Sequence, residues 1–406
     1  MLRCGLLGKK LGHSYSPAIH SRLADYRYEL FEKSEEELEA FLQSGCFDGL
    51  NVTIPYKKAV LPYCDEISDT VRAIGSVNTI VRRADGTLYG DNTDAAGFSY
   101  MIRESGITVD GAKALVLGSG GASLTVCHVL RQLGAKSVTV ISRSGKDNYE
   151  NLHCHADADI IVNTTPVGMY PNNGQAPLSL KAFPKCRGVL DVVYNPARTA
   201  LCLEAEALGI PCAGGLSMLV AQAKRSAEQF IGAPIADEKV DAIRKELAAS
   251  MQNIVLIGMP GSGKSSIGAA LSVMLGRPLI DADEAFTQRA GMPPSEYLPR
   301  YGEPAFRDLE CEVLAELGKR SGCILATGGG CILREENYAS LHQNGQIFWI
   351  KRELANLPRD GRPLSQGADL AAMYETRKPR YHRFADFVIE NSSSIEAAAK
   401  QIADAL

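Results

Sequence analysis

The sequence predicts an α/β protein of two or three domains built on parallel sheets, and three observations carry that expectation. The chain has 406 residues, more than one ordinary hydrophobic core accommodates. Well past its middle, the apolar run Asn253 to Ile257 leads into Gly258-Met259-Pro260-Gly261-Ser262-Gly263-Lys264-Ser265-Ser266 and then into the helical stretch Ile267 to Leu271. Earlier, Lys113 to Leu117 leads into Gly118-Ser119-Gly120-Gly121-Ala122, an apolar-rich helix to about Leu133 and a strand from Ser137 to Ile141. Strand, glycine turn and helix in succession build parallel sheets and aim backbone N–H groups at an anion from a helix N-terminus. With Gly-Lys-Ser at its end, the later unit is a phosphate-cradling P-loop. Gly261 to Ser266 line the nucleotide, Lys264 reaches the β/γ-phosphates and the Ser265 hydroxyl holds Mg²⁺.

Composition narrows the class. Charged residues at 22% and hydrophobic ones at 45% are those of a soluble globular protein, and a formal net charge of −4 argues against a dedicated nucleic-acid binder. No apolar run approaches the length of a membrane span, and Met1 to Gly5 show no signal-peptide pattern. Eleven scattered cysteines without Cys-x-x-Cys read as reduced thiols in a cytoplasm. His153-Cys154-His155 is too tightly spaced for most metal sites and reads as a polar loop.

In chain order, Ser16-Pro17 opens a helix, with serine as the cap and proline at the first helical position. Ser34 to Glu37 form a capping box ahead of Leu38, Phe41 and Leu42. Gly49 to Ile54 alternates as a strand that ends at Pro55. Val77 to Val81 and Thr87 to Tyr89 flank the hairpin signal Ala84-Asp85-Gly86. The unit from about Asp94 is a βαβ motif of the dinucleotide-binding kind, with Ser123 in the place of the third glycine of G-x-G-x-x-G. An NAD site wants an acid on the ribose. This chain has Ser142-Arg143-Ser144, whose cation suits a 2′-phosphate and favours NADP; a solvated surface charge is the other reading of Arg143. Strands follow at Asp159 to Asn163 and Gly188 to Val193, and helices at Ala197 to Leu208, Ser217 to Phe230 and Asp237 to Ala249.

Residues 1 to about 245 resemble shikimate dehydrogenase. The resemblance rests on Ser14-Tyr15-Ser16-Pro17, Asn51 to Lys57, Ser76 to Thr79, Gly90 to Asp94, Asn163 to Met169 and Gly215 to Gln222, in order and with matching spacing. It implies a substrate domain at 1–93 plus about 217–245 and a Rossmann-like NADP-binding domain at 94–216. Reducing a ring ketone needs a hydride and a proton for the developing alkoxide. By the resemblance Lys57 is the acid/base and Asp94 its orienting partner. Ser14, Ser16, Thr53, Asn78, Asp94 and Gln222 bind the carboxylate and hydroxyls, with Tyr194 nearby. Gly118 to Ala122, Ser142, Arg143, Thr164, Val192 and Gly215 line the cofactor. Two departures stand out. The family usually has Asn-Arg-Thr where this chain has Ser-Arg-Ser. Only 20 residues separate Arg143 from Asn163, where the family commonly has a helix and a strand more. The second departure bears on the adenosine side of the pocket and leaves the ring-proximal side untouched.

Residues 252–406, after a linker at 246–251, resemble shikimate kinase, a P-loop enzyme of the nucleoside-monophosphate-kinase type. The motifs are Asp281-Ala282-Asp283, Gly302 to Glu310, Ala326 to Gly330 after a strand at Cys323 to Leu325, Arg362-Pro363-Leu364 and Arg377 to Tyr381. The resemblance implies that Lys264 and Arg362 neutralise the transferring phosphate and that Asp283 binds the accepting hydroxyl. Asp281 holds a water of the shell of the Mg²⁺ on Ser265, and Arg307, Gly329 and Arg377 bind the substrate, the arginines by bidentate pairing with its carboxylate. A lid spans about 352–367. The stretch from Ile350 to Arg362 is shorter than usual, and Arg359 is the candidate adenine contact.

The two resemblances imply one bifunctional enzyme. NADPH reduces 3-dehydroshikimate in the first half, and ATP with Mg²⁺ phosphorylates shikimate in the second. The alternatives are a first half that acts on quinate or uses NAD, one half turned into a binding or regulatory module, and a kinase for another small polyol.

Overall fold

The computed structural model describes residues 1–12, 14–357 and 370–406. The described chain divides into two compact units. The first comprises Met1–Met169, Gln175–Asn195 and Leu201–Glu246; the second comprises Tyr170–Gly174, Pro196–Ala200 and Leu247–Leu406.

The first unit holds two sheets. One is six-stranded: β1 (Arg3–Gly8), β2 (Arg27–Glu32), β3 (Gly49–Val52), β4 (Glu66–Ile67), β5 (Thr79–Arg82) and β6 (Leu88–Asp91), in the order β2-β1-β3-β5-β6-β4. β1 runs parallel to β2 and β3, while β5 is antiparallel to β3 and to β6, its hairpin partner. Leu7, Phe31, Leu50, Val52 and Ile80 close its core with Phe41, Phe47 and Tyr56. At the helix Ser16–Leu23 the cap is Tyr15 rather than Ser16, and it makes no side-chain bond. Ser14 Oγ instead accepts the Ser16 N–H at 3.2 Å, so the hydroxyl that satisfies the helix start comes from outside the helix. Of the expected capping box, the half in which the Glu37 carboxylate accepts the Ser34 N–H forms, at 2.8 Å, and the helix itself is Leu38–Gln43.

The other sheet is parallel and Rossmann-like: β7 (Lys113–Leu117), β8 (Ser137–Ile141), β9 (Ile160–Asn163), β10 (Gly188–Asp191) and β11 (Cys212–Gly214), ordered β11-β10-β9-β7-β8. Counted from β7 the order is 2-1-3-4-5. The full doubly wound order 3-2-1-4-5-6 has one strand more outside the second. Here β8 is the edge. Residues 142–151 fold into a tight turn, with the Ser142 N–H on the Asp147 carbonyl at 3.2 Å, and Leu152–His155 form one 3₁₀ turn. His155 Nε2 lies 3.0 Å from Asp147 Oδ1.

The second unit carries a five-stranded parallel sheet: β12 (Asn253–Ile257), β13 (Leu279–Asp281), β14 (Ile324–Ala326), β15 (Gly345–Lys351) and β16 (Phe387–Glu390), ordered β13-β14-β12-β15-β16. β12, fully buried, is central, so its C-terminal end opens where the connections diverge to either side. The helix Pro294–Leu317 is broken at Gly302, whose φ of 84° no helix allows. Residues 246–251 are the last turns of the helix Glu238–Met251. No helix among the described residues is long and apolar enough to cross a membrane.

Candidate functional site

In the first unit the sheet brings two distant charges together. Lys57 lies in the turn after β3, held by its own carbonyl, which accepts the Val77 N–H at 2.7 Å. Asp94 opens the helix Asp94–Ser105 just after β6. Lys57 Nζ donates to Asp94 Oδ2 at 2.5 Å, with 25% and 16% of the two side chains exposed, so the pair is sheltered yet reachable. Asn78 ties the frame. Its N–H donates to the Asp91 carbonyl at 3.0 Å, its carbonyl accepts the Val52 N–H at 2.7 Å and its buried Oδ1 accepts the Thr93 N–H at 2.7 Å.

The other candidates come from further elements. The half-buried Thr53 follows β3, its N–H on the Leu7 carbonyl at 3.0 Å. Ser14 and Ser16 stand in the turn after β1 and at the start of its helix. Tyr194 meets Tyr15 edge to face at 6.0 Å, and burial raises the pKa of both phenols. Gln222 sits on the helix Leu216–Ile231, where its Nε2 donates to the Leu219 carbonyl at 2.9 Å. That helix packs directly on Gly97 of the Asp94 helix: a Cβ there would stand 2.6 Å from the Met218 carbonyl and 2.9 Å from Gln222 Cβ.

The glycine turn after β7 has the geometry a dinucleotide needs. Gly118 has φ +103°, and a Cβ on it would meet Thr164 Oγ1 at 2.9 Å. Thr164 donates its N–H and its hydroxyl to the Leu117 carbonyl, at 2.9 and 2.6 Å, which locks the neighbouring strand end. Ser119 is exposed, Ala122 half-buried, and a Cβ on Gly120 or Gly121 would meet nothing, so the turn is open where the helix Gly121–Gln132 begins. Ser123, in the place of the third glycine, is buried. Val192 and Gly215 are in contact, the Val192 carbonyl lying 2.1 Å from where a Gly215 Cβ would be. Ser142 is half-buried and Arg143 exposed on the turn after β8, where the Arg143 charge is felt by Tyr149. Sequence reasoning gave Asp191 no part. It is fully buried, and its Oδ1 accepts from Asn163 Nδ2 and from the Val193 N–H, both at 3.0 Å, joining the ends of β9 and β10. Its place inside the apolar run Val189 to Val193 gave no local signal of that part.

In the second unit, a cavity of about 480 Å³ is lined by the P-loop, Asp281, Asp283, Arg307, Glu310, Gly328 to Gly330, Arg352 and Arg377. Gly263, at φ +99°, turns the loop into the helix Lys264–Leu275. Lys264 is buried and folds back onto the Gly258 and Met259 carbonyls at 3.0 and 3.1 Å. Ser265 Oγ donates to Asp281 Oδ2 at 2.8 Å, and Asp281 Oδ1 accepts the Asp283 N–H at 2.9 Å. Gly261 and Ser266 line the cavity and Ser262 is buried beneath it. Arg307 is buried between Glu310, at 2.7 Å, and Glu303, at 3.2 Å. Burial raises the Glu310 pKa against the pull of Arg307. Arg377 donates to the Gly329 carbonyl at 3.1 Å, and so does Tyr381 at 2.6 Å. Arg362 and Arg359 lie outside the described residues, as does the lid from 358 onward. Arg352, at the start of the expected lid, is on the cavity wall, and sequence reasoning gave it no part.

The residues fit the groups such sites hold. Ser265 and Asp281 bring a hydroxyl and a carboxylate together at 2.8 Å, oxygen donors of the kind Mg²⁺ takes. The open Gly120-Gly121 turn at a helix start suits a pyrophosphate.

Comparison with known proteins agrees with both halves. The family "Shikimate dehydrogenase substrate binding domain" matches residues 6–80, and "Shikimate kinase" matches residues 260–406. A Shikimate dehydrogenase (NADP(+)) of Clostridium perfringens is 36% identical over 264 residues, 60% of this chain and 97% of the relative. A chorismate mutase/shikimate 5-dehydrogenase fusion protein from Clostridium acetobutylicum superposes with a TM-score of 0.58 at 35% identity, covering 61% of this chain and 97% of that one. Shikimate 5-dehydrogenase from Thermus thermophilus, solved with NADP(H) and shikimate, gives 0.56 at 31% identity, covering 61% and 99%. The chain belongs to the shikimate dehydrogenase family and continues, in the same polypeptide, into a shikimate kinase domain.

Proposed function

We propose that this bifunctional enzyme reduces 3-dehydroshikimate to shikimate with NADPH and then phosphorylates shikimate at its 3-hydroxyl with ATP. The observation that carries the first step is the Lys57–Asp94 pair at 2.5 Å in a sheltered, reachable position. Lys57 gives its proton to the alkoxide oxygen as the ketone is reduced, and Asp94, at 2.5 Å, keeps the ammonium aimed. The turn Gly118 to Ala122, with Ser142, Arg143, Thr164, Val192 and Gly215, would hold NADPH, which would supply the hydride. Ser14, Ser16, Thr53, Asn78, Tyr194 and Gln222 hold the polyol and its carboxylate.

The second step is positioning plus charge neutralisation. Arg307 and Arg377 clamp the carboxylate beside Gly329. Asp283 takes the proton of the accepting hydroxyl, and Lys264 with Arg362 meets the charge of the transferring phosphate. Mg²⁺, held by Ser265 and Asp281, would add charge neutralisation there. The domain assignment that goes with this reading is 1–93 plus about 217–245 for the substrate, 94–216 for NADP, 246–251 as the connection and 252–406 for the kinase. Eleven cysteines, none of them in a disulfide, support a cytoplasmic location.

The first half is tested by kcat/KM for 3-dehydroshikimate with NADPH, against dehydroquinate, the corresponding ketone of quinate, and against NADH. A preference above tenfold for 3-dehydroshikimate and NADPH is expected. Equal values with NADH would remove Arg143 from the account, and equal values with the quinate pair would replace the substrate.

A further inference from the structure

The kinase cavity has cations at two ends. Arg307 and Arg377 stand by the glycines 328–330 and are engaged there with Glu310 and the Gly329 carbonyl. At the P-loop end the buried Lys264 is the expected cation, and Arg352 is a second one that no motif announced. Arg352 directly follows β15, next to Lys351, whose ammonium is drawn to Glu390 at 2.6 Å. Arg352 turns instead to the loop: its guanidinium donates to the Gly261 carbonyl at 3.4 Å, a long and readily exchanged bond. The loop does not depend on that bond for its shape. Asn391, whose own N–H is fixed on the Lys351 carbonyl at 2.7 Å, donates from Nδ2 to the Ser262 carbonyl at 2.8 Å.

We propose that Arg352 is a nucleotide-binding residue of the kinase, a cation that leaves the Gly261 carbonyl to pair with the polyphosphate of the bound nucleotide. This deepens the proposed kinase function and rests on it. The polyphosphate brings several negative charges to the P-loop. A planar guanidinium already on the rim can bond two phosphate oxygens at once, whereas its present acceptor is one neutral carbonyl.

The test is ADP binding to the full chain by calorimetry, in the parent and in Arg352→Ala, Arg352→Lys and Arg352→Gln. Dehydrogenase turnover in the same samples reports folding of the chain, and the melting transition reports the kinase unit. The expected result is about a tenfold weaker Kd for ADP in Arg352→Ala, with Arg352→Lys, which keeps the charge but not the planar fork, recovering part of the loss and Arg352→Gln little of it. The parent should also show a steeper weakening with salt than Arg352→Ala does. A Kd within twofold of the parent in Arg352→Ala would overturn the proposal. So would full recovery by Arg352→Gln, since glutamine can hold a carbonyl but carries no charge. A parent chain that binds ADP yet fails to phosphorylate shikimate would count against the acceptor assignment and leave the ADP comparison to judge Arg352.

Discussion

Gly97 is where a single methyl group should damage one activity and spare the other. It lies one turn into the helix that Asp94 opens, against the helix that carries Gln222. An alanine Cβ would stand 2.6 Å from the Met218 carbonyl, where ordinary contact begins at 3.4 Å. The two helices must therefore part by about 0.8 Å or tilt by an equivalent amount, because packed interiors have no slack to absorb it. Overpacking of this kind costs about 1–3 kcal/mol, and the better helix propensity of alanine returns about 1 kcal/mol, so the protein should fold. The displacement falls on Asp94 and Gln222 together. A shift near 1 Å in a reacting constellation costs about 100-fold in rate. We expect Gly97→Ala to lose about 100-fold in NADPH oxidation by 3-dehydroshikimate, with shikimate phosphorylation within twofold of the parent. Dehydrogenase kcat/KM within threefold of the parent, in a folded variant, would refute the claim that this helix contact sets the site.

Three further expectations can be checked quickly. Lys57→Ala should lose about 10²–10⁴-fold in reduction and keep kinase activity, and Lys264→Ala should do the reverse; loss of both activities in either folded variant would contradict two independent sites. Removing divalent cations with EDTA should abolish phosphorylation and leave NADPH oxidation intact, and the kinase should return with added Mg²⁺. His20, 1% exposed and stacked on Tyr28 at 3.9 Å, has its pKa pushed down from 6.5 to about 3 by burial. The unfolded chain then binds a proton that the folded chain refuses. Stability present above pH 6.5 is lost as pH falls toward 3, by about 2 kcal/mol at pH 5. Urea unfolding of the first unit at pH 8 and pH 5 should show this loss, and it should shrink in His20→Phe.

How legible the protein was in its sequence depended on whether a feature is local. β7 and β12 are continuous apolar runs ending in glycine turns, and both were readable to the residue. β1 was not, although it is buried along almost its whole length. Its two glycines dilute the pattern: a Cβ on Gly5 would lie 2.3 Å from the Glu29 carbonyl, so close strand approach removed the side chains that would have advertised the strand. The cap at Ser16 was misplaced by one residue because Ser14, two positions earlier, offers the same hydroxyl. The short segment after Arg143 was visible as a missing length, and the fold gives its consequence, an edge at β8. Lys57 and Asp94, 37 residues apart, were nameable only through the resemblance, since their meeting depends on the β3-β5-β6 pairing. Asp191 and Arg352 were beyond reach for the same reason. Each is an ordinary charged residue at a strand end until its neighbours are known.

The central claim is that two consecutive reactions run on one chain. The most direct measurement supplies 3-dehydroshikimate and NADPH to the purified protein, then adds ATP and Mg²⁺ to the same tube. The account predicts NADPH oxidation with accumulation of shikimate, followed on the second addition by its conversion to shikimate 3-phosphate. NADPH left untouched, or shikimate that persists unphosphorylated in the presence of ATP and Mg²⁺, would contradict it.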